Sequence, residues 1–277
     1  MSWRPAARVD RDALLEFLLQ EEAFCVPFTA RLRTGERGVE VFVSRDDRGC
    51  VTGGLLCTSA GLVLPMLAPD PAAGAELAVV LREFRPLVHS IMGIGRSVAA
   101  VEALMPIMPT TRIEYFLMTV SRGDFRPALP ALDSRLDVRV ADVTDAEALF
   151  PLQKGYELEE VVIDPRHFND AQCMKLLRRT LREELVFMAE RDGMPVAKAA
   201  TNARGFMVDQ IGGVYTSPRE RGSGLAKIVV SELLKRIFQE KEEACLFVKK
   251  RNRPAISLYE RLGFAPVTEY VISYYGV

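Results

Sequence analysis

The junction between an apolar run and a long helical pattern at 206–240 constrains this chain more than any other stretch. FMVDQIGGVY and Thr216 read as a strand, Pro218 stops ladder pairing, and Arg221-Gly222-Ser223-Gly224 leads into LAKIVVSELLKRIFQE. There Leu225, Ile228, Val229, Leu233, Leu234 and Ile237 recur at i, i+3 and i+4, so one face of the helix is apolar. Main-chain amides converge at such a strand, turn, helix junction, and the helix dipole adds partial positive charge, which makes the turn a seat for a phosphate. Glycine also serves plain tight turns, so the turn alone leaves both readings open. G-x-x-x-x-G-K-[ST] is absent, and Lys227 stands where the dinucleotide fingerprint needs a third glycine or alanine.

Arg221-Gly222-Ser223-Gly224-Leu225-Ala226, with Val214, Thr216 and Pro218 before it, resembles the signature of the GNAT superfamily of acyl-coenzyme A dependent N-acyltransferases: Arg or Gln, two residues, Gly, one residue, Gly or Ala. The register from Arg219 to Gly224 also satisfies that pattern; the position of Pro218 favours the first. A second segment, NRPAISLYERLGF at 252–264, is similar to the family's N-x-x-A-x-x-L-Y-x-x-x-G-F helix. Pro254 suits a first helical turn and Gly263 a left-handed C-terminal cap, so local rules independently give a helix of about two to three turns. The resemblance covers 136–277, about half of the chain.

It implies an N-acetyltransferase that takes acetyl-CoA as cosubstrate, needs no metal, and transfers the acetyl group to a primary amine by direct attack. It further implies that the amides of Arg221, Gly222, Ser223, Gly224, Leu225 and Ala226 cradle the coenzyme A pyrophosphate, and that the main chain of Val214, Tyr215 and Thr216 pairs with the pantetheine arm. An amide near Val214 or Tyr215 would hold the oxyanion where the fourth and fifth strands splay apart, and Gly212-Gly213 suits a local bulge. Tyr259 would protonate the departing thiolate, and Asn252 would hydrogen-bond the coenzyme arm; packing under the helix and N-terminal capping are their ordinary structural alternatives. Asp209, Glu157, Glu159 and Glu160 are the carboxylates in reach of such a site. Glu157 and Glu160 share a face on a helix and are candidate acceptor-binding residues, a solvated helix face being the alternative; no base is assigned. Lys249, Lys250, Arg251 and Arg253 are candidates for the 3′-phosphate. A non-catalytic acyl-CoA binding or sensing module is the competing function.

Along the chain, strands are predicted at 39–44, 51–58, 61–67, 87–92, 112–120, 136–141, 185–193, 195–203, 206–215 and 244–250. Helices are predicted at 13–22, 72–84, 97–105, 144 onward, 171–181 and 225–240. Two lobes of α/β (α+β) class follow, each with a mixed, mostly antiparallel sheet flanked by helices: 1–121, a Pro-containing exposed linker at 122–135, and 136–277. The first is read as a degenerate GNAT-like lobe, because its turn at 68–75 lacks the Arg-x-x-Gly pattern, places Asp70 where an anion would bind, and uses Pro71 in place of a donating amide. Met92-Gly93-Ile94-Gly95 before the helix at 97–105 is read as a structural turn, anion binding being the alternative.

Lys and Arg number 36 against 37 Asp and Glu, a net charge of −1, which with no stacking surface argues against a nucleic-acid partner. Ten basic residues against five Glu over 219–253 match the phosphates of coenzyme A. MSWRPAARVDRDALLEF has no signal-like apolar core and no run approaches the ~20 apolar residues of a membrane span. A cytoplasmic monomer or homodimer without membrane contact is expected. Five cysteines, without a C-x-x-C pair, read as buried reduced thiols, and with two His no metal site is signalled.

Overall fold

Residues 2–69, 74–84, 88–129 and 133–276 are described by a computed structural model. The first half contains β1 (Ser2–Pro5), α1 (Arg11–Leu19), α2 (Val26–Thr34), β2 (Val39–Arg45), β3 (Val51–Thr58) and β4 (Leu62–Leu67). It continues with α3 (Gly74–Phe84), β5 (Ser90–Ile94), α4 (Gly95–Glu102) and β6 (Thr111–Ser121). The second half contains β7 (Leu136–Val140), α5 (Ala146–Tyr156), α6 (Asp170–Glu183), β8 (Val186–Arg191), β9 (Met194–Arg204), β10 (Val208–Thr216), α7 (Leu225–Ile237), β11 (Glu243–Lys249), α8 (Arg253–Arg261) and β12 (Ala265–Tyr274). Most predicted elements recur within a few residues. Met92-Gly93-Ile94 is a correction: these residues continue β5, and Gly95 opens α4. Parts of the predicted turn at 68–75, helix at 72–84, strand at 87–92 and linker fall at 70–73, 87 and 130–132, outside the described residues.

Among the described residues twelve strands form one sheet in the order β1-β2-β3-β4-β5-β12-β6-β11-β10-β9-β8-β7. Among the described residues each half holds one parallel pair, β4 with β5 and β10 with β11, among antiparallel neighbours. The halves exchange a strand. β12, from the end of the chain, lies beside β5, whereas β6 lies beside β11, and the two meet antiparallel at the centre. A division of the chain at 121 and 136 therefore does not coincide with a division of the sheet.

Helices cover both faces. Val229, Val230, Leu233, Leu234 and Ile237 of α7 pack with Ile256 and Tyr259 of α8 on one face of the second half, with Ile228 only partly buried. Leu149 and Leu152 of α5 and Leu177 and Leu181 of α6 pack on the other. A third cluster crosses the seam: Leu14, Leu18, Val26 and Phe28 join Tyr270 and Ile272 of β12 and Ala203, Val208 and Cys245 of the second half. Burial of this apolar area, at about 25 cal/mol per Å², drives the two halves together. Among the described residues no helix is long and apolar enough to cross a membrane.

Cys25, Cys57, Cys173 and Cys245 are buried as read from the sequence, but Cys50 is exposed, because it follows the Asp46–Gly49 turn outside the sheet. Burial pushes the Cys57 thiol up to about 12 and Cys173 up to about 11. A thiol titration with an aromatic disulfide at pH 8 is expected to react quickly with one thiol in the native protein and with all five after denaturation; a fast second thiol would contradict the buried set.

Candidate functional site

β10 and β11 pair only from Val208 with Glu243 to Ile211 with Leu246, and beyond Gly212 the two strands have no register with each other. The cause lies in β10. Between Gly212 and Tyr215 its register with β9 gains a residue, and Gly213 takes a left-handed φ of +58° that an L side chain rarely adopts. The predicted bulge is there, and it opens the edge of β10 toward the sheet's missing neighbour.

Which main-chain groups face that gap follows from pairing parity. The Ser217 N–H donates to the Val196 carbonyl at 2.8 Å, and Tyr215 opposes Lys198, so Tyr215 and Ser217 turn their main chain to β9. Val214 and Thr216, one residue out of phase, turn theirs to the gap.

At the end of β10 the chain passes through a 3₁₀ turn, Pro218–Glu220, to Gly222 and Gly224, with φ of +81° and +83°. Gly224 is the N-cap of α7, and neither glycine has an atom within 4 Å of where a Cβ would stand. The first amides of α7 lack intrahelical partners by geometry, so the turn presents donors, a dipole and open space together, which suits a diphosphate. Arg221 is turned away from this cradle: its guanidinium holds both Glu159 carboxylate oxygens at 2.7 and 2.9 Å and lies 5.3 Å from the Tyr215 ring centroid.

Across the cleft, the residues after α5 form a π-helical turn, Glu157–Val161, with i to i+5 bonding rather than the α-helix that the spacing suggests. It distributes three carboxylates to three partners. Glu157 is buried, accepts from Gln153 at 2.8 Å and faces Lys198; burial raises its pKa against those two contacts. Burial also raises Glu159, but the Tyr215 hydroxyl at 2.7 Å and Arg221 outweigh it, and its pKa is lowered. Glu160 pairs with Lys249 at 3.0 Å and accepts from Asn252 Nδ2 at 3.4 Å. Glu157 and Glu160 thus lie at the cleft, though each already faces a lysine.

Asn252 caps α8, its Oδ1 accepting from Ala255 N at 3.2 Å, and Pro254 and Gly263 (φ +101°) bracket that helix as the sequence rules expect. Tyr259 is buried, stands edge-on to Phe264 with ring centroids 5.8 Å apart, and shares an apolar cluster with Val214. Burial, with Tyr156 and Glu160 nearby, holds its phenol above the ordinary pKa, so it stays protonated at neutral pH. Lys249 and Lys250 are ion-paired, with Glu160 and with Glu114 and Glu269, which leaves Arg251 and Arg253 exposed beside the α8 N-terminus. Asp209 lies at the closed end of β10, fully buried and bonded to Arg204 at 3.2 Å, away from the gap.

The first half repeats the splay and closes it. β4 and β5 pair only at Leu62 with Ser90 and Val63 with Ile91. The Ala68 N–H donates to Thr52, so Pro65 and Leu67 face the gap; Pro65 has no N–H, and Leu67 donates its own to Ser97 Oγ at 3.1 Å. Phe24, Phe28 and Tyr270 line the space, where the cavity is about 10 Å³, at the lower limit for one water. A larger cavity of about 510 Å³ beside α1 has a rim that reaches Pro69, at the edge of the described residues.

A family model described as FR47-like protein matches residues 195–272, a span holding β9 to β12, the glycine cradle and Tyr259. No curated protein matches the chain. A Drosophila protein solved by structural genomics is 14% identical, covers 99% of this chain and 98% of its own, and has a TM-score of 0.72. A GCN5-related N-acetyltransferase from Sphaerobacter thermophilus is 17% identical over 99% of this chain and 96% of its own, with a TM-score of 0.63. A tandem GNAT protein from the clavulanic acid biosynthesis pathway is 15% identical over 100% and 99%, with a TM-score of 0.60. The chain shares the fold of these structures across both of its halves. Within that fold the open splay and the glycine cradle occur in the second half, and the corresponding gap of the first half is filled.

Sequence reasoning missed one residue of the cleft. Lys198 is 2% exposed in β9, with Nζ 2.8 Å from the Gly213 carbonyl oxygen and 5.0 Å from the Tyr156 ring centroid. Burial lowers its pKa to about 8 against the pull of Glu157. A lone lysine inside PVAKAATNA was the available signal.

Proposed function

We propose that the protein transfers an acetyl group from acetyl-CoA to a primary amine at the cleft between β10, β11 and the π-helical turn. The observation that carries this reading is the alignment of three features: a glycine cradle at the α7 N-terminus, an unpaired β10 edge beside it, and the Tyr259 phenol across the gap. In this reading the cradle binds the pyrophosphate and the Val214 and Thr216 main chain takes the pantetheine. The amine lone pair attacks the thioester carbon, the carbonyl electrons move to oxygen under the Val214 N–H, and collapse of the adduct expels the thiolate, which takes the Tyr259 proton. The surplus proton of the attacking nitrogen leaves by the carboxylates of the π-helical turn, and Asp209 is set aside because its side chain faces the closed end.

Acetyl-CoA titrated into the protein by calorimetry is expected to release binding heat, and a panel of amines is expected to include at least one that liberates coenzyme A thiol. Binding without release by any amine supports the sensing module instead. Gly224→Val should weaken acetyl-CoA roughly ten- to a hundred-fold, the equivalent of about 1–3 kcal/mol of strain at a left-handed position. Unchanged affinity would remove the cradle from the reading.

A further inference from the structure

We propose that Lys198 is a positioning residue of this transfer: by gripping the Gly213 carbonyl it aims the Val214 N–H into the gap, where the thioester oxygen gathers negative charge. The inference rests on the acetyl-CoA reading above and adds to it a side chain and a geometric cause.

Lys198 sits between Ala197 and Ala199, which pack on the α7 face, so its own side chain lies on the α5 face among Tyr156, Glu157 and Cys173. A buried ammonium is costly to desolvate, and a methionine would fill the same space without that cost. What the ammonium adds is the 2.8 Å bond to the Gly213 oxygen. The peptide between Gly213 and Val214 is trans, as are all peptides among the described residues, and in a planar trans unit the C=O and the N–H point in opposite directions. Fixing the oxygen toward Lys198 therefore fixes the Val214 N–H away from it. The register of Ser217 with Val196 separately turns the Val214 carbonyl to the β11 side, so this residue lies at the open edge of the bulge where its N–H is aimed by the Lys198 contact.

The clamp acts where the chain is least constrained. Gly213 is the left-handed residue of the bulge and could swing its peptide plane, and the ammonium 2.8 Å from its oxygen opposes that swing. A positive donor on the carbonyl also polarises the peptide, strengthening the N–H at its other end. An oxyanion donor held in place before reaction is worth far more than one that must be recruited.

Infrared difference spectra of bound acetyl-CoA carrying carbon-13 at the acetyl carbonyl test this without an acceptor amine. In the wild-type protein the thioester stretch should fall relative to free acetyl-CoA, because an amide donates to its oxygen. In Lys198→Met the lowering should be largely lost while calorimetric affinity stays within about twofold. With an accepted amine, kcat should fall roughly 10²-fold and both KM values should hold. Lys198→Gln, which keeps a neutral donor, should lie between the two and carries the comparison if the methionine variant does not fold. The same lowered stretch in the variants as in the wild type, or no lowering in the wild type, would overturn the positioning role and leave acetyl-CoA binding standing. Absence of binding heat from the wild type would instead remove the reading on which the proposal rests.

Discussion

Tyr259→Phe is expected to lower kcat by about 10²- to 10⁴-fold while acetyl-CoA binds as before, the range over which positioned proton donors contribute. The substitution removes one oxygen and leaves the ring. Its edge-on contact with Phe264 and its place beside Ile256 and Leu262 are carried by carbon atoms, so the α8 packing survives. Because burial holds the phenol above its ordinary pKa, it is protonated throughout the neutral range, and the loss should be flat in pH from 6 to 9. A thiolate leaving without a proton source is the step affected, so an acyl donor with a more acidic thiol should recover part of the loss. Steady-state rates with an accepted amine, beside calorimetric affinity, make the comparison. Equal turnover in the variant would assign Tyr259 to packing alone.

How far the sequence reaches is clearest around this residue. The cradle and α8 are legible because glycine, proline and asparagine there act locally: left-handed φ at Gly222, Gly224 and Gly263, and a cap from Asn252. α2 was missed although Pro27 in its first turn and Gly35 at its end, with φ of +63°, are ordinary boundary signals. β12 was missed for a different reason. APVTEYVISY has strand composition, but its place between β5 and β6 is a long-range pairing that no window of sequence contains. The π-helical turn was read as α-helix, since a spacing of three residues between Glu157 and Glu160 predicts one shared face, whereas the wider turn sends the first to Lys198 and the second to Lys249. Lys249 and Lys250 likewise looked free in sequence because their partners, Glu160, Glu114 and Glu269, are distant in the chain.

Glu22→Ala should destabilise the protein by about 3–5 kcal/mol, the cost of opening a buried charged network. Glu22, between α1 and α2, is 3% exposed and accepts from three successive amides of the β9–β10 turn: Phe206 at 2.7 Å, Met207 at 2.6 Å and Val208 at 3.0 Å. The approach is close enough that a Cβ on Gly205 would stand 2.5 Å from its carboxylate oxygen. Lys241 holds the same turn from the opposite polarity, donating to the carbonyls of Gly205 and Phe206 at 2.9 and 2.7 Å. Removing the carboxylate strands three N–H groups beside an ammonium, each worth about 1–3 kcal/mol if left unpaired. Glu22→Gln retains the shape but offers one acceptor oxygen, so a smaller loss is expected. Urea unfolding should show a lower midpoint at an unchanged slope, and a second transition in the variant would mean that this carboxylate couples the unfolding of the two lobes. A midpoint within about 0.5 kcal/mol of the wild type would show that the turn finds other partners. Since the splay begins four residues further along β10, acetyl-CoA affinity below the transition should hold, which separates the loss of lobe coupling from damage to the cleft.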